Sequence, residues 1–271
     1  MYPELFRIPW LDYPISTFGV MMAIAFLVGF WITAKRMEEE GLNPEHASNL
    51  LVYAMFGGLL GSKLYFAIDV GIRTGQPFSE LFFNRAGITW YGGLLGGTLA
   101  CYVGARILKI DFFTLINCAA TTLAVGQSLG RIGCFLVGDD YGKASDLPWA
   151  VAFPEGSPPT FEKVHPTQLY EVMWLLPVAA FLWWRRKKSP FVFGEYLIAN
   201  GLGRIVIEQW RVNPQVALGL TEPQWIGVAL VVAGISGWLY YHQRAANADS
   251  TESPRPSPSL RARGAGRPRR P

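Results

Sequence analysis

Long apolar runs, separated by short polar segments, fill most of the chain between residues 15 and 241. A helix of about 20 residues crosses the roughly 30 Å hydrocarbon core of a bilayer. Runs of about this length lie near residues 15–34, 47–69, 88–107, 113–134, 167–184, 191–210 and 220–241. The pattern predicts an all-α membrane protein, with seven transmembrane helices inside a membrane domain that covers residues 1–242.

The overall composition and the small residues agree with a membrane protein. Of the 271 residues, 51% are apolar and 16% are charged, whereas soluble proteins carry about 25% charged residues. The sequence GGLLG occurs at residues 57–61 and again at 92–96, where the small-residue spacing predicts close helix packing rather than duplication. Cys101, Cys118 and Cys134 lie in or beside apolar runs, which argues against a disulfide framework.

Lys and Arg collect in alternate loops between the apolar runs. One set of loops holds Lys35, Arg36, Arg106, Lys109, Arg185, Arg186, Lys187 and Lys188, and the C-terminal segment adds further arginines. The opposite loops hold Arg7, Arg73, Arg85, Lys143, Lys163 and Arg211. Cytoplasmic loops carry an excess of these residues. The distribution predicts an N-terminus outside the cell and a C-terminus in the cytoplasm.

Two segments fall outside the predicted spans. Residues 135–166 form a long outward loop that is rich in Pro and Gly, which predicts a small extracytoplasmic cap. Residues 243–271 are rich in Pro, Ser and Arg, and are predicted to be a disordered, basic cytoplasmic tail. The tail is interpreted as a topology anchor or a contact for anionic lipid in preference to a nucleic-acid ligand.

Charged side chains lie within the apolar runs at Lys63, Arg131, Glu171, Arg204 and Glu208. A charge in the middle of a bilayer costs a few kcal/mol, so each needs a partner or a function. At about 1.5 Å per helical residue, the predicted orientation puts Lys63, Arg131 and Arg204 in the outer half of the membrane. The same half is predicted to hold Tyr91, Gln127, His165, Gln168, Tyr170, Glu171, Asn200 and Gln224.

Most of these polar residues, taken singly, also have a structural interpretation. Lys63 can reach the headgroups, Tyr91 can belong to an aromatic belt, and His165 precedes Pro166 as a helix-entry residue. Arg204 is harder to explain in this way, because Glu208 and Arg211 follow at spacings that predict one shared helix face and an Arg204–Glu208 pair. Lys63 and the three arginines outnumber the two acids, which predicts that a lipid phosphate occupies the cluster.

Four motifs lie at the predicted outer ends of the spans. They are Gly130-Arg131-Ile132-Gly133-Cys134-Phe135-Leu136-Val137-Gly138-Asp139-Asp140-Tyr141-Gly142, Tyr91-Gly92-Gly93, His165-Pro166-Thr167-Gln168-Leu169-Tyr170-Glu171 and Gly201-Leu202-Gly203-Arg204-Ile205-Val206-Ile207-Glu208-Gln209-Trp210-Arg211. Together, in this order, they resemble the prolipoprotein diacylglyceryl transferase family, whose signature has the form G-R-x-G-N-F-x-N-x-E-x-x-G. The resemblance covers about residues 10–240.

The resemblance implies a multi-pass enzyme of the bacterial plasma (inner) membrane. Its reaction would move a diacylglyceryl group from phosphatidylglycerol to the thiol of a lipobox cysteine in a prolipoprotein signal peptide, with release of glycerol phosphate. Arg131 and Arg204 would stabilise the developing phosphate charge, Arg211 and Lys63 would assist, and Glu208 would orient Arg204. No metal or organic cofactor and no nucleic acid is expected.

The chain departs from the family pattern at several positions of the implied site. Tyr91 stands where the family commonly has a His that is assigned as general base, and a phenol is a poor base at neutral pH. Cys134, Val137, Asp139, Phe18 and Asn200 are further departures. His165 and Glu171 are the other candidates for the base. The departures leave open a divergent relative that uses another lipid or acceptor, or a non-enzymatic lipid-binding or transport protein.

The candidate residues fall into two groups. The catalytic candidates are Arg131, Arg204, Tyr91 and His165. The substrate-binding candidates are Gly133, Cys134, Gly142, Gln168, Tyr170, Glu171, Asn200, Glu208, Arg211 and Lys63.

Overall fold

The computed structural model describes residues 2–8, 10, 12–84 and 87–251. Most of them are helical. The helices are α1 (Thr17–Glu39), α2 (His46–Thr74), α3 (Phe78–Phe83), α4 (Trp90–Ile107), α5 (Phe112–Val137), α6 (Thr167–Arg185), α7 (Val192–Ile207) and α8 (Glu222–Thr251). The strands β1 (Glu4–Ile8), β2 (Tyr13–Ser16), β3 (Val151–Phe153), β4 (Thr160–Val164), β5 (Gln215–Ala217) and β6 (Leu220–Thr221) pair in sequence order as three antiparallel hairpins.

Each of the seven apolar runs coincides with one long helix. Among the described residues, four helical segments are long and apolar enough to cross a membrane: α1, α2, α5 and the Glu222–Arg244 part of α8. The chain is therefore a multi-pass membrane protein. The other three long helices, α4, α6 and α7, have 18, 19 and 16 residues. Seven spans thus remain a prediction.

Two sequence-based expectations need correction. The fold is mostly helical but not all-α, because the three hairpins lie outside the apolar runs that the sequence pattern detects. The predicted tail does not begin at residue 243, because α8 continues without a break to Thr251. Gln and Arg are good helix formers and Ala is the best, so the segment 243–248 extends a helix that an apolar segment has already nucleated. Residues 252–271 of the predicted tail lie outside the described residues.

The two ends of the helix bundle are built differently. The three hairpins and α3 all lie at one end, where α2, α5 and α7 finish and α1, α4, α6 and α8 begin. We call this the hairpin end, and the predicted orientation makes it the extracytoplasmic one. At the opposite end, which we call the loop end, short segments at 40–45, 108–111 and 186–191 connect the helices.

The two GGLLG sequences pack against each other between α2 and α4. A Cβ atom added to Gly57 would lie 2.3 Å from the Cβ of Ala100, and one added to Gly61 would lie 2.3 Å from the carbonyl oxygen of Gly92. No side chain larger than hydrogen fits at these distances. The packing explanation of the repeated sequence is confirmed, and the contact fixes the start of α4 against α2.

The helices that carry the intramembrane charges share one apolar core. Ala120 and Ala124 of α5, Ala179 and Leu182 of α6, and Tyr196 of α7 are buried together. α7 also lies close to α8, because a Cβ on Gly201 would lie 2.5 Å from the carbonyl oxygen of Gly227. The shared core lies in the half of α5, α6 and α7 nearer the loop end, and the α7–α8 contact lies nearer the hairpin end.

Candidate functional site

Glu171, in the first turns of α6, forms ion pairs with three arginines that come from different parts of the chain. Its Oε2 lies 2.7 Å from Nε of Arg131 on α5. Its Oε1 lies 3.2 Å from Nη1 of Arg204 on α7 and 3.0 Å from Nη2 of Arg211, which follows α7. The Glu171 side chain is only 11% exposed. A buried carboxylate with three guanidinium partners organises this end of the bundle.

Asp140 is the second carboxylate of the cluster. It follows the end of α5 and forms an ion pair with Arg131. Both of its oxygens lie 2.9 Å from nitrogens of Arg211, in the two-pronged geometry that an arginine fork makes with a carboxylate. Burial raises the pKa of Asp140, but Arg131 and Arg211 outweigh this effect and hold the pKa below its usual value. The carboxyl group is therefore ionised at neutral pH.

The cluster of Arg131, Asp140, Glu171, Arg204 and Arg211 carries a surplus positive charge. Three guanidinium groups face two carboxylates, so the ion-paired groups sum to +1. Arg211 is the most enclosed of the three arginines, with 5% of its side chain exposed, and Arg204 is the most open, with 29% exposed. Arg204 thus has donors that can turn towards an anionic ligand.

The loop of residues 138–142 brings Asp140 to the arginines. Gly138 ends α5 with φ +74°, and Asp140 itself has φ +61°, a conformation that Asp tolerates better than most residues. Gly142 lies against the chain, since a Cβ there would be 2.4 Å from the carbonyl oxygen of Trp210. Its amide donates to the carbonyl oxygen of His165 at 2.9 Å. Glycine at 138 and 142 permits this tight return of the chain.

Gln168 and Thr167, at the start of α6, fasten the same loop. The Gln168 side chain donates to the carbonyl oxygen of Asp139, and the Thr167 hydroxyl donates to that of Asp140 at 3.0 Å. Both side chains are fully buried. Burial also raises the pKa of Asp139, whose Oδ1 has no hydrogen-bond partner among the described residues. Gln168 therefore supports the site by fixing the loop of residues 138–142.

Glu208 does not orient Arg204, so that expectation is wrong. Its Oε1 accepts hydrogen bonds from Asn213 at 2.6 Å and from Thr221 at 3.0 Å. The Glu208 amide still donates to the carbonyl oxygen of Arg204, but the chain then passes through the 3-10 turn Glu208–Trp210, and the segments that follow bring Asn213 and Thr221 to the carboxylate. Arg204 pairs with Glu171 of the neighbouring helix instead.

Tyr91 contacts an acid that the sequence analysis did not single out. The Tyr91 hydroxyl, in the first turn of α4, donates to Oε1 of Glu222, the first residue of α8. An acid at the start of a helix is common for electrostatic reasons, so Glu222 gave no distinct signal. Asp140 was also missed as a partner, although it lies inside the signature next to Asp139.

His165 lies in an aromatic group rather than among the ion pairs. Its Nδ1 is 3.0 Å from the hydroxyl of Tyr170, which also accepts a hydrogen bond from Trp149 at 2.8 Å. The Trp210 ring packs beside both His165 and Tyr170. The carbonyl oxygen of His165 accepts a hydrogen bond from the Gly142 amide, so the main chain of His165 also contacts the site.

The remaining candidates take separate positions. Cys134 lies one turn after Arg131, with its Sγ 4.0 Å from Nη1 of that arginine. Gly133 faces α1, where an added Cβ would be 3.1 Å from Phe18. Asn200 donates to the Tyr196 hydroxyl at 3.5 Å. Lys63 donates to the carbonyl oxygen of Asn84.

Chemically, the arrangement favours an anionic ligand. Within the part of the chain that the structure describes, no group of three or more His, Cys, Asp or Glu residues is placed to hold a metal ion. Guanidinium groups are well suited to phosphate, because their planar donors match two phosphate oxygens at once.

Comparison with known proteins identifies the family. Residues 3–240 match the family model described as prolipoprotein diacylglyceryl transferase. A phosphatidylglycerol–prolipoprotein diacylglyceryl transferase of Clostridium tetani is 33% identical over 243 residues, which cover 87% of this chain and 96% of that relative. Proteins of the same name from Nostoc sp. and Nitratidesulfovibrio vulgaris are 31% and 30% identical, and the matches cover 85% and 84% of this chain and 87% and 89% of those relatives. The chain therefore belongs to the prolipoprotein diacylglyceryl transferase family.

Proposed function

We propose that this protein transfers a diacylglyceryl group from phosphatidylglycerol to the lipobox cysteine thiol of a prolipoprotein signal peptide. The thiol sulfur attacks the glyceryl carbon that bears the phosphate, the carbon–oxygen bond to that phosphate breaks, and glycerol phosphate leaves. The names of the relatives over most of the chain support this activity. The observation that carries it here is the net-positive arginine cluster around Glu171 at the hairpin end.

The arginines differ in their proposed roles. Arg204 makes one ion pair within the described residues and is the most exposed, so it binds the lipid phosphate directly. Arg131 shares its donors between Glu171 and Asp140 and contacts the phosphate from the α5 side. Arg211 is enclosed and donates two hydrogen bonds to the Asp140 carboxylate, so it positions the loop of residues 138–142 and does not contact the lipid. Donors fixed before the reaction stabilise the charge on the leaving phosphate without reorganisation.

The proposed topology has seven spans in the bacterial plasma (inner) membrane, with the hairpin end outside. Residues 138–166 then form an extracytoplasmic cap over the arginine cluster, and the basic residues after α8 face the cytoplasm. This orientation brings the cluster to the leaflet where secreted precursors emerge. The excess of Lys and Arg at the loop end supports it.

A transfer assay with purified protein tests the activity. The protein is mixed with phosphatidylglycerol and a lipobox peptide, and the peptide is examined by mass spectrometry. We expect a diacylglyceryl-sized mass increase, and a rate about 10² to 10³ lower for Arg204→Ala. Arg73→Ala is the matched control, because exposed Arg73 pairs with Asp69 on α2 and is expected to leave the rate unchanged. Lipid binding without any mass increase would contradict the proposal.

A further inference from the structure

The proposed reaction needs a proton acceptor for the attacking thiol. A cysteine thiol has an ordinary pKa near 8.5 and the thiolate is the nucleophile, so the proton must leave as the carbon–sulfur bond forms. Glu171 already forms ion pairs with three guanidinium groups. His165 contacts Tyr170 through Nδ1 in the aromatic group. Each of these groups is thus already committed to a partner within the described residues.

Tyr91 and Glu222 form the other acid–base pair at the hairpin end. The phenol hydroxyl donates to the Glu222 carboxylate across the gap between α4 and α8. The Tyr91 oxygen keeps a lone pair that can accept a second proton, and the exposed Glu222 can exchange protons with water. The pair thus has the connectivity of a proton relay.

Both members of the pair are held in place. The Ser62 hydroxyl donates to the carbonyl oxygen of Thr89 at 2.8 Å, just before Tyr91, and the Gly61–Gly92 contact fixes the next residue. On the other side, α8 packs on α7 so closely that a Cβ on Gly227 would be 3.4 Å from the Cβ of Arg204. A relay on rigid helix ends keeps one geometry.

The pair lies beside the arginine cluster. Glu222 precedes Gly227 by five residues, about 7.5 Å along a helix axis, and Gly227 packs against Arg204. Arg204 is also close enough to act electrostatically on Tyr91. A lipid phosphate bound to Arg204 would therefore lie at the same end of the bundle as the Tyr91 hydroxyl.

Resting on the proposed function, we propose that Glu222 is the proton acceptor of the reaction and that Tyr91 relays the proton to it. As sulfur attacks the glyceryl carbon, the thiol proton moves to the Tyr91 oxygen and the Tyr91 proton moves to the Glu222 carboxylate. The carbon–oxygen bond breaks and its electron pair leaves with glycerol phosphate. Glu222 then returns its proton to water, so no charge or proton is left unbalanced.

The relay operates only if proton transfer accompanies bond formation. An ordinary carboxylate, with a pKa near 4.3, is too weak to ionise an ordinary thiol beforehand. In a concerted step the developing carbon–sulfur bond makes the thiol proton steadily more acidic, and a positioned acceptor contributes about 10² to 10⁴ in rate. The Tyr91 hydroxyl remains neutral before and after the step.

The test compares two acceptor peptides, one with the lipobox cysteine and one with selenocysteine in its place. A selenol is already ionised at neutral pH, so it needs no base. We expect Glu222→Gln and Tyr91→Phe each to lower the rate with the thiol peptide about 10²-fold, and to stay within about threefold of the wild-type rate with the selenol peptide. The double variant should lose no more than either single variant, because the residues act as one unit.

Matched variants separate this inference from the proposed function and from misfolding. Glu162→Gln removes an exposed acid of β4 and should leave both rates unchanged. Arg204→Ala should lower both rates alike. An equal loss with both peptides in Glu222→Gln, or no loss with the thiol peptide, would overturn the relay. Absence of transfer by the wild-type protein to either peptide would instead overturn the proposed function.

Discussion

Each end of the bundle holds one connected network of three cations and two carboxylates, but the ion pairs of the two networks are built differently. At the loop end, Arg36 pairs with Glu39 and Glu40, three and four residues later in sequence. Arg186 and Lys187 complete this group through Glu39. At the hairpin end, every ion pair of the arginine cluster joins separate parts of the chain.

The difference is one of degree: two of the four ion pairs in the loop-end network are at helical spacing and two join Glu39 to the segment after α6, whereas no pair of the arginine cluster is at helical spacing. Pairs at helical spacing form whenever the helix forms. Pairs that join α5, α6, α7 and two loops must be assembled by the whole fold, against the entropy of ordering each side chain. The loop end also borders a cavity of about 1040 Å³ lined by Glu39, Arg186 and Tyr241 among others. Among its charges, Arg36 and Arg185 lie in the last turns of α1 and α6, where a cation stabilises a helix end.

The largest expected effect comes from removing the shared carboxylate at each end. Glu171→Gln leaves three arginines with one carboxylate, and loss of one partner of a buried pair costs about 3–5 kcal/mol. We expect both a lower thermal midpoint in detergent and loss of transfer. Glu39→Gln is the counterpart at the loop end and is expected to lower the midpoint without lowering transfer by the folded protein. Equal losses of transfer would erase the distinction between the ends.

A conservative change sharpens the role of geometry at the hairpin end. Arg131→Lys keeps the charge but removes the fork that reaches Glu171 and Asp140 together. We expect a rate about 10- to 100-fold lower, corresponding to the loss of one charge-assisted hydrogen bond of about 1.5–3 kcal/mol. Arg36→Lys at the loop end should change the rate less than twofold. If the Arg131→Lys protein were fully active, the positive charge at this position would suffice and the guanidinium geometry would not matter.

Helix packing supplies a smaller effect that is confined to the hairpin half of α4. Gly61→Ala places a methyl group against the carbonyl of Gly92 and forces α4 away from α2. Overpacking of this kind costs about 1–3 kcal/mol, and it displaces Tyr91 from its position. Gly126→Ala is the control, because nothing lies within 4 Å of an added Cβ there. Circular dichroism in detergent gives the thermal midpoint of each variant. Equal midpoints for Gly61→Ala and Gly126→Ala would argue against tight α2–α4 packing.

The smallest expected effect is a loss of stability in the loop of residues 138–142 at low pH. Because ion pairs hold the folded-state pKa of Asp140 below its ordinary value near 3.9, its contribution to stability is present above that value and is lost as the pH falls further. We expect the protection of amides in residues 138–142 against hydrogen exchange, taken relative to the intrinsic rate at each pH, to fall as the pH is lowered from 5 to 3, and Asp140→Asn to show this lower protection already at pH 5. An acid response that is identical in both proteins would assign it to another group.

Much of the fold and part of the site can be predicted from the sequence. The apolar runs locate seven helices, and the polar residues near their ends locate Arg131, Glu171 and Arg204 at one end of the bundle. The hairpins could not be predicted in this way, because strands of two to five residues such as Val151–Phe153 are too short for a clear alternation of polar and apolar positions.

Partner choice within the site could not be predicted either. Helical spacing favoured Glu208 as the partner of Arg204, but Asn213 and Thr221 bind Glu208, and the crossing of α6 over α7 pairs Arg204 with Glu171. The Tyr91–Glu222 contact joins residues 131 positions apart, and no local pattern marks it. Such contacts depend on how helices cross, which the periodicity of a single helix does not specify.

The central claim is that the hairpin-end arginines bind the lipid phosphate and that the loop-end cations do not. The most direct test is the dissociation constant of glycerol phosphate, the proposed product, measured by calorimetry on the purified protein. Arg204→Ala should weaken binding at least tenfold, equivalent to about 1.4 kcal/mol, and Arg186→Ala at the loop end should change it less than twofold. Unchanged binding in Arg204→Ala, or a larger loss in Arg186→Ala, would contradict the claim.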